Sequence, residues 1–250
     1  MTLFRLPILA LGLILGLSFQ AVAEDKALPD LTEQQVERIV RDYLLKHPEV
    51  IVEALQLYQE RQELAEAEQA RQMLVAHRDR LDDPSGQFVI GNPEGDVTIV
   101  EFFDYRCGFC KRVMPAMLDE VAKDGNVRLV FKEFPVLGED SDRAARAGVA
   151  AARQGRYYDM HLALMQTRGG LGMSKILMMA SQLGLDTDQL KADMDSPETD
   201  RLLQENRELA RVLQIRGTPG FVIGDTLVPG AISASEFRQL IAEARAAKNG

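Results

Sequence analysis

The chain has no tryptophan, three histidines and two cysteines in 250 residues. That scarcity bears first on metals. Structural zinc takes four ligands, commonly two cysteine pairs or one pair with histidines at matching spacing. Here Cys107 and Cys110 are the single pair, and His47, His77 and His161 are scattered along the chain. An intramolecular zinc site is therefore disfavoured, and no resident metal or cofactor is expected. A copper site built from the two thiolates stays open, because soft thiolates suit Cu(I). Positive charge is also in short supply: 29 Lys and Arg stand against 38 Asp and Glu, for a formal net charge of −9. A chain with that balance is a poor nucleic-acid binder. Internal repeats and low-complexity tracts are absent, and beyond the first segment no apolar run approaches the length of a membrane span.

The first segment itself is the exception. Arg5 precedes an apolar run from Leu6 to Leu17, and Ala21-Val22-Ala23 has the small-x-small pattern of a secretory cleavage site. The run is short for a span and is followed by the charged Glu24-Asp25-Lys26. Residues 1–23 thus read as a cleaved signal peptide that delivers the chain to the periplasm, with an uncleaved anchor as the alternative. In that oxidising compartment paired cysteines ordinarily serve as staples. Cys107 and Cys110, however, close too small a loop to restrain the unfolded chain much. A reactive thiol pair explains them better.

Roughly 225 residues remain, enough for one good-sized domain and something extra. Thr32 and Gln35 have capping-box spacing, and Val36, Ile39, Val40, Tyr43 and Leu44 follow at helical intervals. Pro48 suits the first turn of a second helix carrying Val50, Ile51, Ala54, Leu55 and Tyr58. Two short amphipathic helices cannot bury both faces against each other, so residues 24–58 are assigned to a helical association module. From Gln59 to Gln72, Leu64 is the one large apolar residue among strong helix formers, which describes a solvated helix. Residues 59–86 are read as a helical linker, ended by Asp82-Asp83-Pro84-Ser85-Gly86; a helix packed on the next domain is the alternative.

Residues 87–250 form that domain. Val97 to Phe103 is dense in β-branched and aromatic residues and reads as a buried strand, a helix opens at Cys107, and Val127 to Phe134 is a second strand. Strand, helix, strand is the order that demands parallel pairing. Helical patterns run from Ala144 to Leu213. Strand patterns return at Gly220–Ile223 and Thr226–Val228 around a Gly224-Asp225 turn, and Ser235–Lys248 closes the chain as a helix.

A C-x-x-C where a strand passes into a helix has a chemical purpose. The first cysteine sits where unpaired N–H groups and the helix dipole stabilise a thiolate, and the second lies one turn in, within reach. Cys107 is the expected nucleophile and Cys110 the resolving thiol, with Arg106, Lys111 and Arg112 adding positive potential. Attack on a substrate disulfide gives a mixed disulfide, which Cys110 or a substrate thiol then resolves.

The segment Glu101-Phe102-Phe103-Asp104-Tyr105-Arg106-Cys107-Gly108-Phe109-Cys110 resembles the active-site segment of DsbA-like proteins of the thioredoxin superfamily. Arg216-Gly217-Thr218-Pro219-Gly220 resembles the cis-proline loop of that superfamily and lies just before the returning strand. The resemblance covers residues 87–250 with both signatures in order. The N-terminal extension makes the whole chain similar to the oligomeric suppressor-of-copper-sensitivity C (ScsC) type. The implied fold is α/β, a thioredoxin fold with an inserted helical domain at about residues 138–214, preceded by a helical oligomerisation segment. A homo-oligomer is implied, a trimer ahead of a dimer.

The resemblance also assigns roles. It makes Pro219 the cis-proline and gives Thr218 the backbone that pairs with bound substrate, with Gly108 and Phe109 also facing substrate. Glu101 becomes the buried acid that assists proton transfer at Cys110. On the residues alone, an ordinary turn proline and a solvated strand-end carboxylate compete for Pro219 and Glu101. One departure matters: typical DsbA oxidases carry Pro-His between the cysteines, where this chain has Gly108-Phe109, with no ionisable group. Thr218 before the proline is more like the isomerase and reductase branches. The implied activity is thiol-disulfide exchange, as an isomerase or reductase acting on misoxidised or reduced secreted proteins and kept reduced by a membrane thiol-redox partner. A DsbA-type dithiol oxidase and a periplasmic copper-binding relay are the alternatives.

Overall fold

The computed structural model describes residues 31–82 and 88–249; the expected leader and residues 83–86 of the expected break lie outside the described residues. The chain divides into two units, Met1–Leu57 and Tyr58–Gly250. In the first, the Thr32 N–H donates to Gln35 Oε1 at 2.9 Å and starts helix α1 (Glu33–Lys46). Helix α2 (Glu49–Ala76) begins after His47-Pro48. No residue of α1 is buried. Val36, Ile39, Val40, Tyr43, Ile51 and Leu55 are all between 44% and 57% exposed, so the described residues of this unit have an apolar face and no core among themselves.

The second unit starts within α2. A solvated helix running unbroken to about Leu81 is not what forms: α2 ends at Ala76, and a short α3 (Arg78–Asp82) follows. Leu74 and Leu81 are buried in a cluster with Val100, Phe102, Val130, Leu209, Leu213 and Val222. Packing against the domain, which the sequence left open, therefore holds for the end of the segment. The solvated pattern stops at Gln72, and Leu74 near the end of α2 and Leu81 in α3 both turn into the core on either side of the break between the two helices.

The sheet consists of β1 (Phe88–Gly91), β2 (Val97–Phe103), β3 (Val127–Glu133), β4 (Gly220–Ile223) and β5 (Thr226–Pro229), in the order β1-β3-β2-β4-β5. Strands β2 and β3 are parallel and joined by α4 (Gly108–Asp124), as the strand–helix–strand reading requires; the other pairings are antiparallel. Strand β1 was not anticipated, being an edge strand of only four residues. Five helices intervene between β3 and β4: α5 (Glu139–Arg153), α6 (Tyr157–Gln166), α7 (Met173–Gln182), α8 (Thr187–Met194) and α9 (Pro197–Val212). Helix α5 begins before its alanine-rich run, because Glu139, Asp140 and Asp142 favour the positive end of the helix dipole. The chain ends in α10 (Ala234–Asn249).

Alternation in the strands makes two cores. Val97, Ile99, Phe103, Leu129, Phe131 and Phe221 pack on one side with Met117 of α4 and Phe237 of α10, while Val100, Phe102, Val130 and Val222 face Leu74, Leu81 and Leu209 on the other. No helix among the described residues is long and apolar enough to cross a membrane.

Truncating Leu74 to Ala should cost about 2–4 kcal/mol of stability. Truncating Leu64, which is 71% exposed, should stay within about 0.5 kcal/mol of the parent. Urea unfolding of both variants checks this; equal midpoints would show that α2 does not contribute to the core.

Candidate active site

Strand β2 pairs with β4 so that Phe102 faces Gly220, which brings the loop after β2 against the loop before β4. A side chain at Gly220 would put its Cβ 2.7 Å from Ile215 Cγ2, so glycine is what allows the close approach there. The Thr218–Pro219 peptide is cis. The Sγ of Cys107 lies 3.2 Å from the Thr218 carbonyl oxygen, to which the thiol donates. Two distant segments thus converge on one sulfur.

Cys107 is the N-cap of α4, and its Sγ accepts from the Cys110 N–H at 3.5 Å. It is 6% exposed, whereas Cys110 is wholly buried. Hydrogen bonding from the Cys110 thiol, then from the Thr218 side chain and the N–H groups of Cys110 and Phe109, lowers the Cys107 pKa from 9.0 to about 5 against the opposing effect of burial. Donating that bond, together with burial and the nearby Glu101 charge, pushes the Cys110 thiol up far beyond the ordinary range. At neutral pH the site therefore holds one thiolate and one thiol.

Glu101 is fully buried, not a solvated strand-end carboxylate. Neither of its oxygens has a hydrogen-bond partner. Burial, and after it the charge on Cys107, raises its pKa from 4.5 to about 8. Gly108 and Phe109 are exposed, with the Arg112 guanidinium 4.3 Å from the Phe109 ring centroid. The other two expected cations point elsewhere: Arg106 Nη1 donates to the Leu137 carbonyl at 2.8 Å, and Lys111 Nζ caps carbonyls near the end of α6, including Leu164 at 3.4 Å.

Sequence reasoning missed Asp104. It is buried and accepts from the N–H groups of Arg106, Val136 and Leu137 and from Ser141 Oγ, at 2.7 to 3.1 Å. It locks the segment leading into Cys107 to the loop after β3. Its two-residue reach to Arg106 is a local turn signature that the sequence does offer. Among the described residues no three His, Cys, Asp or Glu side chains gather at metal-ligand spacing.

A helix-capping thiolate, a buried partner thiol and a facing cis-proline, on a sheet of this order with helices inserted after its second parallel strand, define a DsbA-like thioredoxin fold. Residues 98–242 match the DSBA-like thioredoxin domain family, and the chain belongs to it. Residues 33–65 match the copper resistance protein ScsC N-terminal domain. A thioredoxin-like oxidoreductase from Silicibacter pomeroyi is 46% identical, over 68% of this chain and 98% of that one, with a TM-score of 0.66. Proteus mirabilis ScsC in a transitional conformation is 31% identical, over 86% of this chain and 97% of that one, with a TM-score of 0.65. The Na(+)/H(+) antiporter NhaA 3 of Salinispora tropica is 29% identical over 167 residues, 64% of this chain; the match spans only 26% of the antiporter.

Because the Cys110 thiol is the foremost stabiliser of the Cys107 thiolate, Cys110→Ala should move the Cys107 transition upward by about one pH unit or more, while leaving it below the ordinary cysteine value because the helix end remains. Iodoacetamide alkylation against pH reads this directly. A transition that stays near 5 in the variant would mean that the helix N-terminus alone sets it.

Proposed function

We propose that the protein is an exported disulfide isomerase or reductase working through Cys107 and Cys110. The observation that carries this reading is the Cys107 sulfur held at the start of α4, 3.2 Å from the Thr218 carbonyl. The thiolate attacks a substrate disulfide: the Cys107–substrate bond forms, the substrate S–S bond breaks, and the departing sulfur leaves as a thiolate. Formation of the mixed disulfide removes the Cys107 charge that helps to keep Glu101 protonated; Cys110 then loses its proton to the ionised form of Glu101 and attacks the Cys107 sulfur, which closes the Cys107–Cys110 bond and leaves the substrate reduced by two electrons. In isomerisation a substrate thiol resolves the mixed disulfide instead, and Cys110 is the escape route. The backbone beside Pro219, at Thr218, takes the substrate as an added strand, and Gly108 and Phe109 face it.

Three features favour isomerase or reductase over dithiol oxidase. The Gly108-Phe109 dipeptide brings no ionisable group; Thr218 precedes the proline; and the exposed apolar face of the first unit, with its likeness to the ScsC N-terminal domain, suits association. A homo-oligomer, a trimer ahead of a dimer, presents several Cys107 sites to one substrate and raises the effective concentration of the next thiolate. Residues 1–23 act as the signal peptide, the periplasm is the compartment, and a membrane thiol-redox partner keeps the pair reduced. A mostly oxidised pair in the cell, read by thiol trapping, would favour the oxidase.

Glu101→Gln should separate function from stability. The native carboxyl keeps its proton up to about pH 8, whereas the unfolded one releases it near the ordinary glutamate value of 4.5. Between those values the native state holds more protons, so stability falls as pH rises. The variant should lose that decline and be more stable than the parent at pH 8, while the Cys110 step slows on the order of a hundredfold. Unfolding at pH 4 and pH 8, with the kinetics, tests both halves; an unslowed Cys110 step would remove Glu101 from the mechanism.

Removal of residues 24–57, stopping short of Leu74 and Leu81 because both belong to the core, should give a monomer that still exchanges disulfides. It should lose most of its ability to refold a scrambled multi-disulfide protein. Equal unscrambling per active site by the truncated and mature chains would defeat the proposed role of association.

A further inference from the structure

Among the described residues, the buried side-chain nitrogen and oxygen atoms without a hydrogen-bond partner are both oxygens of Glu101, Oε2 of Glu133 and Nε2 of His161. Buried polar atoms are nearly always paired, so a group of orphans calls for an explanation. These four are not dispersed. In the parallel register Glu101 faces Phe131 and Phe103 faces Glu133, so the two glutamates are diagonal neighbours on one face of the sheet. Strand spacing and rise put their backbones about 8 Å apart. The His161 ring lies over the same patch, with its centroid 4.4 Å from that of Phe131 and 4.9 Å from that of Phe103.

Glu133 is held by a network. Its Oε1 accepts from the hydroxyls of Tyr105 at 2.7 Å and Tyr157 at 3.2 Å. His161 Nδ1 lies 3.2 Å from the first hydroxyl and 3.3 Å from the second. Both hydroxyls thus lie within hydrogen-bond reach of Glu133 Oε1 and of His161 Nδ1, while His161 Nε2 has no partner. Burial keeps His161 neutral, its pKa lowered to about 3. Tyr105 stands between Asp104 and the residue before Cys107, so the network is tied directly to the active-site loop.

The groups facing the two acids are few. Cys107 and Cys110 come from α4, Tyr105 from the active-site loop, and Tyr157 and His161 from α6, and Asp104 adds its negative charge to Glu133. From α5 comes only Gly148, where a Cβ would lie 2.7 Å from Glu133 Oε1. No cation among these groups neutralises either carboxyl. Burial raises Glu133 as it raises Glu101, and the Tyr157 hydroxyl feels the charge of both.

We propose that Glu133 is a positioning residue for thiol exchange: with Glu101 it forms a coupled pair of buried carboxyl groups that share one negative charge once the first proton has left, steadied by Tyr105, Tyr157 and His161. Two like charges on adjacent strands of a dry core would oppose each other's ionisation, so the pair would lose its protons in two separated steps. Between the steps it presents one carboxylate and one carboxylic acid. A carboxylate can take the Cys110 proton when that thiol attacks, and a carboxylic acid can return it in the reverse direction. Exchange then runs both ways at one pH, the arrangement that paired acids provide elsewhere.

This inference rests on Glu101 as the base for Cys110, so the test keeps the two ideas apart. A chromophoric thiol is loaded onto Cys107 as a mixed disulfide, and its release by Cys110 is followed against pH in the full protein and in Glu133→Gln and Glu101→Gln. Glutamine at 133 retains the oxygen that accepts from both tyrosines. The expected parent profile has two transitions separated by about one pH unit or more, and Glu133→Gln collapses them to a single one-proton transition. A Glu133→Gln profile identical to the parent, with Glu101→Gln altered, overturns the proposal and leaves Glu101 in place. An unaltered Glu101→Gln profile instead sinks the earlier reading of Glu101. If Glu133→Gln does not fold, carbon NMR of labelled glutamate carboxyls in the unmodified protein decides: two-step curves for Glu101 and Glu133, each showing the other's midpoint, support the pair, and independent single-step curves refute it.

Discussion

The pairing of β2 with β4 is the constraint on which the site depends. Once Phe102 lies opposite Gly220, the chain leaving β2 and the chain entering β4 must meet, and Cys107 arrives 3.2 Å from the Thr218 carbonyl across 111 residues of sequence. The five intervening helices can be as elaborate as they are because they leave from β3 and return to β4 without touching that junction's register. Asp104 secures the other side, binding the active-site segment to the loop after β3 through Val136, Leu137 and Ser141. The sulfur is thus fixed by a helix end, a sheet register and a buried carboxylate, each from a different part of the chain.

Much of this was legible in the sequence because its signals are local. The strand at Val97–Phe103 announces itself by composition, the helix by the cysteine spacing, and the α1 start by Thr32 and Gln35. The limits came where a local window ended too soon or where no local signal exists. The helix-former run up to Gln72 looked solvated, yet Leu74 and Leu81 lie just beyond it and enter the core. Strand β1 is four residues long, too short for any periodicity. The network of Tyr105, Glu133, Tyr157 and His161 draws on a loop, a strand and a helix, and His161 read simply as one of several scattered histidines. Its one sequence trace is an acidic residue closing the row Val127, Leu129 and Phe131 along one face of β3, visible at Glu133.

The interior of the domain is arranged at some expense to stability. Glu101 is buried with no donor to either oxygen, on a sheet face that it shares with Glu133 and that Ile99, Phe103, Leu129, Phe131 and Phe221 otherwise fill. A hydrophobic residue of similar size would suit that position better by packing alone. Its presence marks a place where the fold carries strain that its chemistry uses. The cost is bearable because the rest of the face is apolar and closely packed.

The exposed side of the active site behaves differently from its interior. Phe109 carries the Arg112 guanidinium 4.3 Å from its ring centroid, and a guanidinium holds its charge at every physiological pH. The surface a substrate first encounters therefore presents a constant field, with nothing in the Gly108-Phe109 dipeptide to switch it off near neutrality. Acidification of the surroundings would leave that field unchanged and would register at the Cys107 sulfur, whose thiolate takes up a proton near pH 5, while Glu101 behind it changes charge on the alkaline side, near pH 8. Recognition and proton traffic are thereby assigned to opposite sides of one helix terminus, so that selection can retune either without disturbing the other.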